Sequence, residues 1–157
     1  MTYLNYIIQE TLRINPIVTF TSPVYFEKDT KIGGFVVKGG TAMAINIHGL
    51  HRNASQWQRP DEFLPDRFDS THPLSRTPSG EKRHAFSWLP FNGGRRVCFG
   101  KTFAEAVLKI TITLVTQGFD LSFVDKEKYR QGNLPMKHIG QSHYPEILVD
   151  VAQRADQ

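Results

Sequence analysis

The single cysteine of this chain, Cys98, lies in a loop rich in glycine and arginine, with the sequence FNGGRRVCFG at residues 91–100. One cysteine cannot form an internal disulfide, and it cannot provide the several thiolates of a structural zinc site or an iron–sulfur cluster. Its thiolate is still a soft metal ligand, and the neighbouring glycines would let a flat cofactor approach the backbone closely. The residues alone leave three roles for Cys98: an axial metal ligand, a nucleophile or an inert buried residue.

An apolar repeat at helical spacing follows this loop, and Gly118 is a suitable C-terminal cap. The repeat predicts a helix that begins just beyond Cys98. Amide groups and partial positive charge at its N-terminus would favour the thiolate over the thiol. The repeating residues are Phe103, Val107, Ile110 and Leu114.

The remaining patterns predict an α+β chain with short, mostly antiparallel strands. An apolar stripe predicts a helix over residues 2–14, which Asn15 and Pro16 end. A short helix is expected within residues 48–57, and residues 59–83 are expected to form a long irregular connection. Apolar residues between turn signals predict strands at 24–27, 31–37, 41–47, 119–123 and 146–151, with a turn at 38–40. The apolar residues alternate with others at 41–47 and at 119–123.

Composition excludes some classes of function. The 157 residues suit one domain, and 39% hydrophobic residues can support a core. The formal net charge is only +4, with both signs interspersed, so we expect no nucleic-acid partner. We find no apolar stretch of transmembrane length and no signal-peptide pattern.

Three stretches together resemble motifs of the cytochrome P-450 family, the haem-thiolate monooxygenases, in the expected order. Residues 10–13, ETLR, resemble its Glu-x-x-Arg motif, and residues 65–68, PDRF, resemble its Pro-Glu-Arg-Phe motif with aspartate replacing glutamate. The ligand loop of the family, Phe-x-x-Gly-x-Arg-x-Cys-x-Gly, is matched at Phe91, Gly94, Arg96, Cys98 and Gly100. The resemblance implies the C-terminal part of the mainly helical P-450 fold, with residues 1–157 belonging to a single haem-binding domain.

The resemblance also implies site residues and a cofactor. Cys98 would be the axial ligand of the iron of haem b and the catalytic residue, because thiolate ligation favours cleavage of the oxygen–oxygen bond. Arg96 would pair with a haem propionate, and Phe91 would shield the iron–sulfur bond. Gly94 and Gly100 complete the cofactor-binding set. A buried structural network would consist of Glu10, Arg13 and Arg67.

The implied reaction inserts one oxygen atom of O2 into a small, hydrophobic organic substrate. Electrons from NAD(P)H would arrive through a reductase or a ferredoxin-type partner. Two segments would contact substrate, residues 17–23 and 141–144, with the contacts assigned to Val18, Thr19, Phe20 and His143. Many relatives hold a propionate with an arginine shortly after the Glu-x-x-Arg helix, but residues 17–23 contain no basic residue. Another group or water would then meet that propionate.

The central helix that delivers protons in this family has no counterpart in the chain, nor has the upper wall of the haem pocket. We therefore expect a fragment or truncated product that cannot turn over alone, and Met1 directly before a helix agrees with truncation. Membrane association would require a missing N-terminal part. The full protein would lie in the endoplasmic reticulum membrane if it is a eukaryotic microsomal type, and otherwise in the cytoplasm.

Three alternatives are kept. An inactive haem-binding remnant would share every motif. A P-loop nucleotide-binding protein is a poorer match to the Gly-Lys-Thr at residues 100–102, because five residues rather than four separate Gly94 from Gly100. Zinc binding by histidines is also a poor match, because no pair has a cysteine or carboxylate at zinc spacing. The histidines are His48, His51, His72, His84, His138 and His143.

Overall fold

The computed structural model describes residues 2–130, 136–139 and 142–154. Over these residues, every strand pairing is antiparallel, and the eight strands form four two-stranded sheets. The α+β prediction is therefore confirmed. The helices are α1 (Thr2–Ile14), α2 (Ile47–Leu50), α3 (Lys101–Gly118) and α4 (Lys126–Arg130). The paired strands are β1 (Val24–Tyr25) with β4 (Ala42–Met43), β2 (Thr30–Ile32) with β3 (Phe35–Val37), β5 (Phe119–Phe123) with β8 (Val149–Gln153), and β6 (Met136–Ile139) with β7 (Ser142–Pro145).

Helix α1 has the predicted bounds. Its last turn closes with the N–H of Asn15 donating to the carbonyl of Thr11 at 2.8 Å, and Pro16 has no N–H with which to continue. Ile8 and Leu12 are buried on one face, where α1 packs against the 3-10 turn Pro65–Phe68. The apolar stripe of α1 therefore packs against the long connection.

The prediction of one strand over residues 31–37 was wrong. Gly33 and Gly34 have φ values of 55° and 91°, so the chain turns there and forms the β2–β3 hairpin. Left-handed backbone at successive turn residues is the conformation that joins antiparallel strands with the least strain, and glycine adopts it freely. The strand predicted at 24–27 is also shorter and ends at Tyr25.

The strand predicted over residues 41–47 ends at Met43, and Ile47 instead begins α2. Asn46 caps this helix, because its side-chain oxygen accepts from the N–H of Gly49 at 2.9 Å. Ile47 is buried. Ile47 is therefore an apolar residue buried at the start of a helix, although the alternating pattern places it on the face of a strand.

Helix α3 begins three residues after Cys98, as predicted, and β5 has the predicted bounds. Gly118 is its last helical residue rather than a cap, and the N–H of Phe119 closes the last turn by donating to Val115. The partner strand is β8, shifted by three residues from the predicted start at residue 146. The connection over 59–83 includes two 3-10 turns.

The core of the described residues is small and lies around α1, α2 and the connection. Its main apolar members are Ile8, Leu12, Ile47 and Trp57. The apolar stripe of α3, in contrast, is exposed along its whole length, at Phe103, Val107, Ile110 and Leu114. In the part of the chain that the structure describes, we find no helix with the length and apolar character needed to cross a membrane.

Candidate active site

The predicted network of Glu10, Arg13 and Arg67 is brought together and is fully buried. Glu10 and Arg13 lie one turn apart on α1, and their side chains form two hydrogen bonds of 2.7 and 2.9 Å. Arg67 is carried to the same carboxylate by the 3-10 turn, and its Nε donates to Oε1 of Glu10 at 3.1 Å. The N–H of Leu64 donates to that same oxygen at 2.8 Å.

Backbone carbonyls at residues 58–62 accept hydrogen bonds from other N–H groups of Arg13 and Arg67. Arg13 donates to Pro60 at 2.6 Å and to Glu62 at 3.1 Å, and Arg67 donates to Gln58, Arg59 and Glu62. Burial lowers the pKa of Arg67, although the Glu10 carboxylate opposes that shift. Two cations and one anion are buried in this network. An unpaired charge in the interior would be very costly, and these hydrogen bonds compensate for the lost contact with water.

Glu10, Arg13 and Arg67 form a buried cluster. Arg83 and Trp57 extend this cluster, and neither was predicted. Arg83 donates to the carbonyls of Arg67 and Leu74 at 2.6 and 2.7 Å. Its guanidinium lies 4.3 Å from the centre of the buried Trp57 ring, within the range of a cation–π contact. Burial lowers the pKa of Arg83 to about 10. Trp57 and Arg83 are 26 positions apart, and no local sequence pattern indicates that they are in contact.

The ligand loop holds Cys98 by its backbone. The N–H of Cys98 donates to the carbonyl of Phe91 at 2.8 Å, and the N–H of Lys101 donates to the carbonyl of Cys98 at 3.2 Å. Gly94 has a φ of 61°, and Gly94–Arg96 form a 3-10 turn between these anchors. The loop therefore closes on itself just before α3.

The thiol of Cys98 is exposed at the surface of the described residues. A Cβ added at Gly100 would lie 3.8 Å from Sγ, which is an ordinary van der Waals contact. Phe99 is fully exposed, Arg96 is exposed and Phe91 is half-buried. The amide groups at the start of α3 were expected to favour the thiolate, but within the described residues no side chain accepts a capping hydrogen bond from them.

The predicted substrate segment 17–23 is tied to α2. The carbonyl of Thr19 accepts from the N–H of Ile47 at 2.8 Å, and Phe20 forms an isolated antiparallel bridge with Asn46. Phe20 is about half exposed, and Val18 and Thr19 are half-buried. Residue 141 lies outside the described residues, and so does the side chain of His143, whose backbone belongs to β7.

The P-loop hypothesis fails on geometry. No strand leads into the loop, because residues 84–93 form a 3-10 turn and irregular backbone. A P-loop protein also has a strand that ends in a metal-binding aspartate, and residues 147–150 resemble one. Asp150 lies in β8, however, which pairs antiparallel with β5 rather than in a parallel sheet. A phosphate-binding loop requires a buried strand before it.

The sequence profile of the cytochrome P-450 family matches residues 1–144. Vinorine hydroxylase of Rauvolfia serpentina is 36% identical over 123 residues, which cover 78% of this chain and 25% of that protein. Protopine 6-monooxygenase of Eschscholzia californica is 34% identical over 149 residues, or 95% of this chain and 28% of that protein. The chain thus spans about a quarter of the length of these curated relatives.

Solved structures give the same result for the fold. The cytochrome P450DA heme domain superimposes with a TM-score of 0.79 at 31% identity, covering 97% of this chain and 31% of that one. The retinoic acid-bound cyanobacterial CYP120A1 gives 0.78 at 27% identity, covering 98% and 33%. The resemblance to a C-terminal portion of the P-450 fold is confirmed. The chain belongs to the cytochrome P-450 family.

Proposed function

We propose that this chain supplies the cysteine-ligand part of a haem-thiolate monooxygenase, with Cys98 as the axial ligand of haem iron. Residues 1–157 then form the C-terminal portion of a single haem-binding domain. The observation that carries the proposal is the exposed thiol of Cys98, held by the Phe91 carbonyl at the entrance to α3. Family membership implies haem iron, a redox partner and an organic substrate in general terms.

The donor set fits haem. Among the described residues, no group of three or more His, Cys, Asp or Glu side chains could hold a bare metal ion. A metal at Cys98 must therefore bring its other ligands with it, as iron in a porphyrin does, and we assign the cofactor to haem b. The sulfur of Cys98 is exposed, so a flat ring can approach it. When bound, haem supplies the iron that activates O2, and a thiolate ligand favours cleavage of its oxygen–oxygen bond.

The residues of the loop have distinct parts in this proposal. The thiolate sulfur of Cys98 ligates the iron. Arg96 pairs its guanidinium with a propionate, for which its exposure in the same loop is suited. Phe91 would shield the iron–sulfur bond once haem is bound. Gly94 gives the loop its left-handed turn.

The reaction proposed for the full protein inserts one oxygen atom of O2 into a small hydrophobic molecule, with NAD(P)H-derived electrons from a reductase or ferredoxin-type partner. Val18, Thr19 and Phe20 are the proposed substrate contacts, and the half-exposed ring of Phe20 supports that role. We also propose His143 as a contact, because it lies in the segment 141–144 that the family resemblance implies as the second substrate contact. For a full protein of the microsomal type, we propose the endoplasmic reticulum membrane as its location.

This chain alone is not expected to turn over. Cys98, Phe99 and the apolar stripe of α3 are exposed, so water would reach a haem held here. The test joins residues 1–157 to the preceding part of a relative and measures substrate oxidation, with Cys98→Ser as the control. Oxidation lost in the variant supports the monooxygenase. A chimera that binds haem through Cys98 but forms no product supports the inactive remnant instead.

A further inference from the structure

The imidazole of His51 is buried and forms hydrogen bonds through both ring nitrogens. Nε2 lies 2.8 Å from the backbone nitrogen of Leu89, and Nδ1 lies 3.2 Å from the carbonyl oxygen of Arg13. A backbone N–H can only donate, so Nε2 is the unprotonated acceptor. The ring proton therefore lies on Nδ1 and is donated to Arg13. These contacts fix the tautomer and the orientation of the ring.

The two partners of the ring belong to different parts of the site. Arg13 is a member of the buried cluster, and its guanidinium also donates to the carbonyl of His51 at 2.9 Å. Leu89 begins the turn that leads into the ligand loop, and its carbonyl accepts from Asn92 at 3.2 Å. Gly93 packs so closely that an added Cβ would lie 2.9 Å from the side chain of Leu89.

We propose that His51 is a positioning residue, which fixes the start of the ligand loop against the buried cluster and so holds Cys98 in place. The path runs from Arg13 through the imidazole to Leu89, and then along the turn to Phe91. The carbonyl of Phe91 accepts from the N–H of Cys98 at 2.8 Å. Only the last consequence, a well-placed axial bond, rests on the proposed function; the hydrogen-bond path belongs to the chain itself.

The charge of the ring agrees with this role. Burial lowers the pKa of His51 to about 4, and the positive charges of Arg13 and Arg52 act in the same direction. The imidazole is therefore neutral near pH 7. A second ring proton would face the N–H of Leu89, donor against donor, and would break the link to the loop.

Three substitutions of His51 separate its two hydrogen bonds. His51→Gln puts an amide oxygen near the position of Nε2 and retains an acceptor for Leu89. His51→Asn retains a donor near Nδ1 for Arg13 but no acceptor for Leu89. His51→Leu removes both. Ile8→Ala is the matched control for general loss of stability, because Ile8 is buried in α1 and takes no part in the path.

The first readout is amide hydrogen exchange at Leu89 and Cys98, compared with the amide of Ile7 inside α1. His51→Leu and His51→Asn should accelerate exchange at Cys98 by about tenfold or more relative to Ile7, whereas His51→Gln should stay within about threefold of the wild type. Ile8→Ala should raise all three rates together. The proposal is overturned if Cys98 in His51→Leu and His51→Asn responds only in proportion to Ile7.

The second readout is the fraction of haem-reconstituted, reduced chain that gives a strongly red-shifted Soret band under carbon monoxide. At equal folded fraction, His51→Asn should lose most of that band and His51→Gln should retain it. Equal bands in the two variants contradict the proposal. If the wild type lacks the band, the haem ligand is wrong, while the exchange rates still decide the role of His51.

Discussion

The Nε of Arg67 donates to Oε1 of Glu10 at 3.1 Å, although the two residues are 57 positions apart in the sequence. This bond fastens the long connection to α1, and both side chains are withdrawn from water. Glu10 also pairs with Arg13, so one carboxylate is the shared counter-ion of two buried guanidinium groups. The ligand loop follows the same connection in the chain, and the imidazole of His51 links Arg13 of this cluster to Leu89, just before the loop.

Glu10→Gln should destabilise the chain strongly. The amide keeps the size of the side chain but leaves both arginines buried without a counter-charge, a change that costs about 3–5 kcal/mol in comparable networks. Urea unfolding followed by circular dichroism measures it. Glu62→Gln is the control, because the Glu62 side chain forms an exposed pair with Arg59. Equal midpoints for the two variants would show that the buried charge balance is unimportant.

The stability of the chain should fall as the pH is lowered from about 6.5 to about 4. The pKa of His51 is lowered from 6.5 to about 4 in the folded chain. Between these two pH values the imidazole is protonated in the unfolded chain and neutral in the folded chain. Stability then rises with pH across the window, by about 3 kcal/mol in total for a shift of this size. Urea midpoints at several pH values should show a smaller slope for His51→Gln than for the wild type. An unchanged slope would assign the pH dependence to other groups.

Much of this arrangement could be predicted from sequence. The helical period of α1 places Glu10 and Arg13 on one face, and the apolar repeat after Cys98 predicts α3. Contacts that join distant segments left no local pattern, and the ring of His51 is the main example. Its spacing made zinc binding a poor match but did not identify its partners, because Arg13 and Leu89 meet it only in the folded chain.

Short strands were the least predictable elements. The glycine pair that turns the β2–β3 hairpin has strand-forming apolar residues on both sides, so the sequence predicts one strand through it. Ile47 continues the alternation of Met43 and Ile45, which likewise predicts a strand. An alternating pattern over few residues does not distinguish a strand from the capped start of a helix.

Gly94→Ala should impair the ligand loop more than Gly100→Ala. Gly94 has a left-handed φ of 61°, which costs a residue with a Cβ about 1–2 kcal/mol. Gly100 has a φ of −80°, and a Cβ there would make only ordinary contact with Sγ. Haem titration of both variants tests this difference. Weaker haem capture by Gly100→Ala would mean that space beside the sulfur matters more than loop conformation.

Arg96→Ala should weaken haem retention, whereas Arg95→Ala should not. The two arginines are adjacent and exposed, so they form a matched pair with the same charge change. A lost hydrogen bond between charged groups costs about 1.5–3 kcal/mol, or at least tenfold in haem dissociation rate. Transfer of haem to an acceptor protein measures that rate. Faster transfer from Arg95→Ala alone would move the propionate contact to that residue.

Thiolate ligation by Cys98 is tested most directly by the Soret band of the haem-reconstituted chain, reduced under carbon monoxide. Our account predicts a strongly red-shifted band that disappears in Cys98→Ser and persists in Lys101→Ala. A band where histidine-ligated haem absorbs, or a red-shifted band that survives in Cys98→Ser, would contradict it.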